Sequence, residues 1–299
     1  MQGTPDAQMI SDYVLDRLPD INDTQVPLEF IMQLNAITRD PDVEINEVAK
    51  LIEREPNMCA QLMRLSNTAH FSRGQRIGSV NQAIMRLGLT IVKRLIISFG
   101  IFDVASDKIA LPYFNETDFL KSNIAGAMIS EEVARISGVA DTDEIYICTL
   151  LRDFGVFILK QYFPDIFEDI FSIVHEKKWP FSFTCRTVYG IDHYRIASLM
   201  FAQWKLPILI AAVPKDDEAR NKKLVLIKRI YGHVDYLLKK FSYGQWDPYL
   251  IPSERSINLF AKNEAFDTSV RRIVAESNGF VTLLIDALKE ASPGVCKAF

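Results

Sequence analysis

Along most of the chain, apolar residues return every three or four positions with polar residues between them, the spacing of a helix with one buried face. In PLEFIMQLNAITRD, residues Leu28, Ile31, Leu34 and Ile37 mark such a face, with Pro27 at the first helical position. NEVAKLIERE repeats it with Val48, Leu51 and Ile52 until Pro56 breaks the pattern, and NMCAQLMRLSN then aligns Met58, Leu62 and Leu65. SVNQAIMRLG opens on Ser79 with Gln82 three residues later, a capping-box spelling, and closes on Gly88. Thr90 is placed to cap TIVKRLIISFGIF. Short helices joined by loops of a few residues predict a compact bundle over the first 105 positions.

DKIALPYFNET reads as a connector, because Pro112 and Asn115 interrupt the period. A second helical group follows: DFLKSNIAGAMISEEVARISG, then DTDEIYICTLLRDFGVFILKQYF as one helix capped near Asp141 and Glu144. PDIFEDIFSIVHEKK starts on Pro164, and Asp192 can cap DHYRIASLMFAQW. The tail continues in helical pattern with KKLVLIKRIYGHVDYLLKKF, SERSINLFAKN and FDTSVRRIVAESNGFVTLLIDALKEA. No segment alternates as a strand would, and no repeat of solenoid length occurs. The expected fold is all-α: two packed helical bundles, residues 10–106 and 107–212, and a C-terminal helical extension, 213–299.

Composition narrows the class. A hydrophobic fraction of 48% with 19 phenylalanines supplies real cores and excludes a disordered chain. The net charge of −4 offers no broad attraction for nucleic acid. No long uncharged apolar stretch predicts a membrane span, and the N-terminal MQGTPDAQMISDY lacks the basic then apolar start of a signal peptide. Cys59, Cys148, Cys185 and Cys296 form no CxxC pair, as expected of a reduced cytoplasmic protein.

One stretch stands out within this pattern. LLRDFGVFIL sets Arg152 and Asp153 side by side in an apolar run, where ionisable groups are costly unless paired and so tend to mark a site.

The order of several pieces then resembles a known family. An Asp-Pro at 40–41 is followed by E-x-x-P-x-x-x-x-x-L-x-R-L-x-N-x-A over 53–69, then I-x-S-V-x-Q-A-I over 77–84 and a further LG and helix. This string resembles the HDOD family, the HD-related output domains of bacterial signalling proteins, over about residues 15–210. The second bundle is similar to the family's HD-like half: LLRDFG stands where catalytic HD phosphohydrolases carry His-Asp followed by Gly, and YGIDHYRIASLMFAQWKLP, 189–207, matches a later helix. The resemblance implies an all-α fold and a role in bacterial signal transduction through a protein partner. It also implies the place of a metal site, where imidazoles and carboxylates would hold a divalent ion that activates water.

Measured against that pattern, ligands are missing. Arg152 stands at the histidine of the His-Asp pair, and a guanidinium has no lone pair to give a metal. Ser122, in FLKSN, replaces an upstream histidine, and AAVPKDD has none where some relatives carry a pair. Asp153 and His193 remain. The expectation is therefore no bound metal, no cofactor and no catalytic residue, with Ser122, Arg152, Asp153 and His193 as vestigial positions. Arg152 could find a structural partner across the bundle, take the place of the metal's charge among the acids, or with His193 bind an anionic small ligand. The rival is a residual metal-dependent phosphohydrolase acting on nucleotides or cyclic dinucleotides through Asp153 and His193.

Other features carry weaker signals. HFSRGQRIGSV brings Arg73 and Arg76 to the N-terminus of the Ser79 helix, a possible anion site against the plainer reading of solvated arginines. Lys222, Lys223, Lys228 and Arg229 read as the solvated face of an amphipathic helix, with a partner or nucleic-acid surface as the alternative. His70, His175 and His233 show no metal-binding spacing, and no Walker, G-x-G-x-x-G or G-x-S-x-G motif occurs. No receiver, GGDEF or EAL segment is visible. An input would come from another protein or from the C-terminal helices, which could equally serve as a dimer interface or pack within the chain.

Overall fold

The structure, a computed structural model, describes residues 5–21, 28–67, 76–105, 113–138, 142–203, 222–252 and 264–291. Among the described residues the secondary structure is helical and no strand occurs. The chain divides into two compact units, residues 23–108 with 282–299 and residues 1–22 with 109–281. None of the described helices is long and apolar enough to cross a membrane.

The first unit contains α2 (Leu28–Ile37), α3 (Ile45–Glu53), α4 (Pro56–Ser66), α5 (Val80–Leu87) and α6 (Leu89–Ala105). The apolar period is realised in its core. Ile31, Leu34, Val48, Ile52, Met58, Leu62 and Leu65 are buried, and Ile37 is half-buried at the end of its helix. Pro56 opens α4 instead of merely ending α3. Ser79 caps α5, its Oγ accepting the Gln82 N–H at 3.2 Å, while Gln82 Oε1 accepts the Gly78 N–H at 2.7 Å. At the far end, Gly88 takes φ +85°, a conformation that favours glycine, and its N–H closes on Ile84. The next helix follows so tightly that it begins at Leu89, with the Gly88 carbonyl accepting the Val92 N–H, so Thr90 lies inside α6 and does not cap it.

Asn67, in the L-x-R-L-x-N-x-A string, has a defined structural task. Its side chain grips both backbone groups of Ile77: Nδ2 donates to the Ile77 carbonyl and Oδ1 accepts the Ile77 N–H, each at 2.8 Å. Nδ2 also reaches the Met63 carbonyl at 2.8 Å, tying the clamp to the last turn of α4. Ile77 is thereby held in the core just ahead of α5.

The second unit begins with α1 (Pro5–Arg17), which runs into a 3-10 turn, Leu18–Asp20. Residues 10–22, grouped by sequence with the N-terminal bundle, pack here because that turn lies against a later helix, α12 (His193–Gln203), and Gln203 Nε2 donates to the Pro19 carbonyl at 3.0 Å. Between them come α7 (Glu116–Ile136), α8 (Thr142–Leu151), α9 (Phe154–Tyr162), α10 (Pro164–Lys177) and α11 (Phe181–Val188), with α13 (Lys222–Lys240) and, up to residue 281, α14 (Glu264–Ala291) after α12. Asn115 interrupts the pattern by capping α7, its Oδ1 accepting the Asp118 N–H at 3.0 Å. Asp192 does the same ahead of α12, accepting the Tyr194 N–H at 2.9 Å.

The C-terminal helices answer the question left open by sequence: they pack within the chain. Ile227, Ile230, Val234 and Leu237 of α13 and Phe266, Val270 and Ile273 of α14 share one buried core with Ala125, Ile129 and Val133 of α7 and Cys148 of α8. α7 admits α13 closely at Gly126, where a Cβ would lie 3.2 Å from Val234 Cγ1. Lys240 adds an ion pair to Asp267 at 2.6 Å. The predicted helix SERSINLFAKN lies outside the described residues, as do Pro27, Trp204 and the AAVPKDD segment.

Replacing Asn67 with alanine removes both bonds to Ile77 and leaves a buried backbone pair short of partners. The expected loss is about 1–3 kcal/mol, read as a fall in the urea midpoint of helix unfolding.

Candidate functional site

The LLRDFG stretch is not one continuous helix. α8 ends at Leu151 and α9 starts at Phe154, so Arg152 and Asp153 occupy a two-residue break. Asp153 stands in the N-cap position of α9 with φ −93° and ψ 12°, yet its side chain makes no capping bond. Its carboxylate is turned to the neighbouring arginine, with Arg152 Nε 3.3 Å from Asp153 Oδ2. On the other side, Arg152 Nη2 lies 2.7 Å from Asp235 Oδ1 of α13. The guanidinium carbon sits 5.4 Å from the ring centre of Tyr231, one turn before Asp235. Arg152 is 3% exposed and Asp153 1%, so a cation and its acids are carried into the interior together.

Gly155 explains how a histidine reaches this group. A Cβ at position 155 would fall 1.9 Å from the His193 carbonyl oxygen, so only glycine lets α9 and α12 approach at this point. That approach sets His193 Nε2 3.4 Å from Asp153 Oδ1, at the outer edge of hydrogen-bonding distance. The imidazole is 1% exposed and stacks on Tyr194, with ring centres 3.9 Å apart.

Charge is kept at Arg152 and Asp153 despite their burial, while burial pushes the Asp235 carboxyl up against the pull of Arg152. Desolvation alone would push the Asp153 carboxyl up, but the Arg152 guanidinium and His193 outweigh it and hold the group below the usual carboxylate range. Burial likewise works against Arg152, and Asp235 with Asp153 overcomes it, so the guanidinium stays protonated at any working pH. Asp247 behaves differently. Burial pushes it from 3.8 up to about 6, only partly offset by the Phe181 N–H, which donates to its Oδ2 at 2.9 Å.

These groups line a pocket with about 530 Å³ of empty space, part of it open to solvent. Ser122 of α7, Arg152, Asp153 and His193 all face it, so the four positions named from sequence are brought together. The remaining wall comes from Asp235 and Lys239 of α13 and from residues 243–247. That last segment lies directly on α7: Gly244 takes φ +59°, and a Cβ there would be 2.4 Å from the Ser122 backbone nitrogen. Trp246 then enters an aromatic cluster, its ring centre 5.1 Å from Phe119 and 5.3 Å from Phe181.

Sequence reasoning missed Asp235, Asp247, Tyr194 and Tyr231. Asp235 left a readable signal, since it falls four residues after Tyr231 and three before Leu238, inside the apolar stripe of its helix. Asp247 left none, because its role depends on where the 243–250 segment docks. The three other candidate residues do not join this group. Ser79 and Arg76 belong to the other unit, where Ser79 Oγ is occupied in capping α5 and Arg76 is exposed. Arg73 lies outside the described residues. Among the described residues, no group of three or more His, Cys, Asp or Glu side chains is arranged to hold a metal ion.

Comparison with known proteins bears on family and fold. The profile of the HDOD domain matches residues 26–215, ending before α13. An uncharacterized protein from Treponema pallidum (strain Nichols) is 24% identical over 199 residues, which span 65% of this chain and 37% of that protein. The chain therefore matches well under half of that relative's length. Among solved structures, an HDOD domain protein of unknown function from Geobacter sulfurreducens superposes with a TM-score of 0.66 at 20% identity, covering 95% of this chain and 99% of the other. A proposed signal transduction protein from Marinobacter aquaeolei VT8 gives 0.70 at 15% identity over 95% and 67%. A proposed phosphohydrolase from Shewanella amazonensis SB2B gives 0.51 at 18% identity over 93% and 94%. At these identities the structural likenesses establish the fold.

Two measurements probe the network. Arg152→Ala leaves Asp153 and Asp235 without their buried counter-charge, and the expected cost is about 3–5 kcal/mol in chemical denaturation. Asp247 tests the pH side. Its neutral form is favoured by the fold, so its contribution is fully present below its ordinary value and is lost as pH rises through about 6. Asp247→Asn should therefore gain stability relative to the parent between about pH 4 and pH 7, by up to about 3 kcal/mol, in denaturation midpoints followed across that range.

Proposed function

The chain belongs to the HDOD family, and from that premise we propose that it is a regulatory protein of bacterial signal transduction that acts by binding a partner or ligand, with its HD site converted from a metal centre into a fixed ion network. One observation carries this reading. Arg152, at the position where the resemblance places a metal-binding histidine, lies 3.3 Å from Asp153 and 2.7 Å from Asp235. A guanidinium cannot ligate a metal, and its charge repels one. It also gives the carboxylates the positive partner that a divalent ion would otherwise supply. His193 and Asp153 keep their mutual contact, but Ser122 and Arg152 bring no nitrogen lone pair to the pocket.

Further support comes from what the site retains. Its groups are gathered in a recess that reaches solvent, which suits recognition better than inert packing. Signalling is supported by the resemblance to output domains and by the fold shared with the Marinobacter protein, whose proposed role is signal transduction. Placement in the cytoplasm is supported by Cys59, Cys148 and Cys185, which are free thiols. The anion site first considered for Arg152 and His193 loses support, since the Arg152 charge is already matched by two carboxylates.

Elemental analysis of protein prepared without chelator or histidine tag tests the reading. Less than about 0.1 metal per chain is expected, unchanged after soaking in Mn²⁺, Fe²⁺ or Zn²⁺ and desalting. About one metal per chain, with hydrolysis of a phosphodiester that is lost in Asp153→Ala, would replace it with a residual phosphohydrolase.

A further inference from the structure

We infer that the Arg152 pocket is a binding site for a small organic cation carrying an ammonium group; the inference rests on the reading of this site as one that binds and does not hydrolyse. The first ground is the balance of charge. Arg152 and Lys239 line the pocket together with Asp153, Asp235 and Asp247, so with the three carboxylates ionised and His193 neutral one negative charge is in excess. Lys239 Nζ is engaged by the Leu250 carbonyl, to which it donates at 2.5 Å. Arg152 divides its charge between Asp153 and Asp235, which leaves Asp247 without a cation in the network.

The second ground is the set of buried polar atoms without a hydrogen-bond partner. His193 is 1% exposed, yet neither ring nitrogen makes a hydrogen bond within the protein. Asp153 Oδ1, equally buried, has only His193 Nε2 beside it, 3.4 Å away and outside hydrogen-bond alignment, and Asp247 Oδ1 also lacks an aligned donor. Buried acceptors of this kind are costly until a donor arrives. An ammonium brings three N–H donors and no acceptor, which fits two carboxylate oxygens and an imidazole nitrogen. Tyr194, Tyr243 and Trp246 complete the lining with aromatic rings, side chains compatible with a bound cation.

Arg152 Nη1 also lacks a partner and makes the competing case for an anion. That case is weaker. A bound anion would sit beside three carboxylates and gain only a guanidinium whose charge is already compensated. The wall that supplies Asp247, Tyr243 and Trp246 comes from residues after the stretch matched by the family profile. Much of the lining that would set the ligand preference thus lies after the profile-matched stretch.

The test is calorimetric titration of the full chain with n-butylammonium chloride and butane-1,4-diamine, against sodium chloride, sodium butyrate and inorganic phosphate at matched ionic strength. Saturable binding of at least one amine is expected, with no binding of butyrate or phosphate. Asp247→Asn should weaken it about tenfold, as expected for losing one charge-assisted contact. Ser182→Lys, at a half-buried position on the pocket wall, supplies a tethered ammonium and should weaken it at least as much; it decides the matter if the Asp247 variant does not fold. No saturable binding of either amine, or butyrate or phosphate binding as tightly, overturns the inference. Titration with MnCl₂ separates the two readings, because stoichiometric Mn²⁺ binding lost in Asp153→Ala would overturn the proposed function as well. A metal-free protein that ignores both amines would overturn this inference alone.

Discussion

A buried guanidinium held between two carboxylates is the constraint around which the second unit is organised. Arg152 and Asp153 cannot be buried as a lone neighbouring pair, because the short backbone link between them leaves most of the guanidinium's donors unused. Asp235 supplies the second acceptor from a helix eighty residues later, and Tyr231 covers the flat face. The helix that carries them must therefore lie against α7 and α8, and the residues there permit it. Gly126 admits Val234, and Tyr231 Oη donates to the Cys148 carbonyl at 2.8 Å. The ion network and the apolar core shared by α7, α8, α13 and α14 specify the same docking, which is the agreement between levels that gives a single native arrangement.

Such a network is expensive to form. Each ion loses hydration worth several kcal/mol, and the return depends on geometry and on neighbouring donors. Nothing about stability alone favours it over an apolar core. Its presence is better explained by position: it lies beside a solvent-reaching recess where a charge pattern can be read by something outside the fold. The helical break at Arg152 and Asp153 belongs to the same account, since it frees Asp153 from capping α9 and lets its carboxylate face Arg152 and His193.

The helical architecture was largely legible because the 3.6-residue period and the punctuation at Ser79, Gly88, Asn115, Pro164 and Asp192 are local properties. Where reading failed, a local rule met a tertiary demand. DTDEIYICTLLRDFGVFILKQYF has an unbroken apolar pattern, yet the chain breaks at its charged pair because those side chains must meet partners in different directions. Residues 10–17 carry an ordinary amphipathic helix, and no periodicity says which core it will join. The resemblance located Ser122, Arg152, Asp153 and His193, which do gather at one pocket. It could not supply Asp235 or Asp247, which lie beyond the matched region and reach the pocket only through the docking of α13 and the Gly244 contact.

A metal ion and an arginine satisfy the same acids in different ways, and the difference bears on what the fold can do. A divalent ion is exchangeable, so a core organised around it would depend on supply and would hold open coordination positions for water or substrate. A guanidinium is covalently part of the chain, places its Nε and Nη2 against the two carboxylates and has no lone pair to offer. In the proposed reading, exchanging one for the other keeps the electrostatic framework that positions α9, α12 and α13 and gives up the means of activating water. On that reading a preorganised, charged recess remains. In that recess the acceptors outnumber the cations, and the segment from Tyr243 to Asp247 forms a wall of its own.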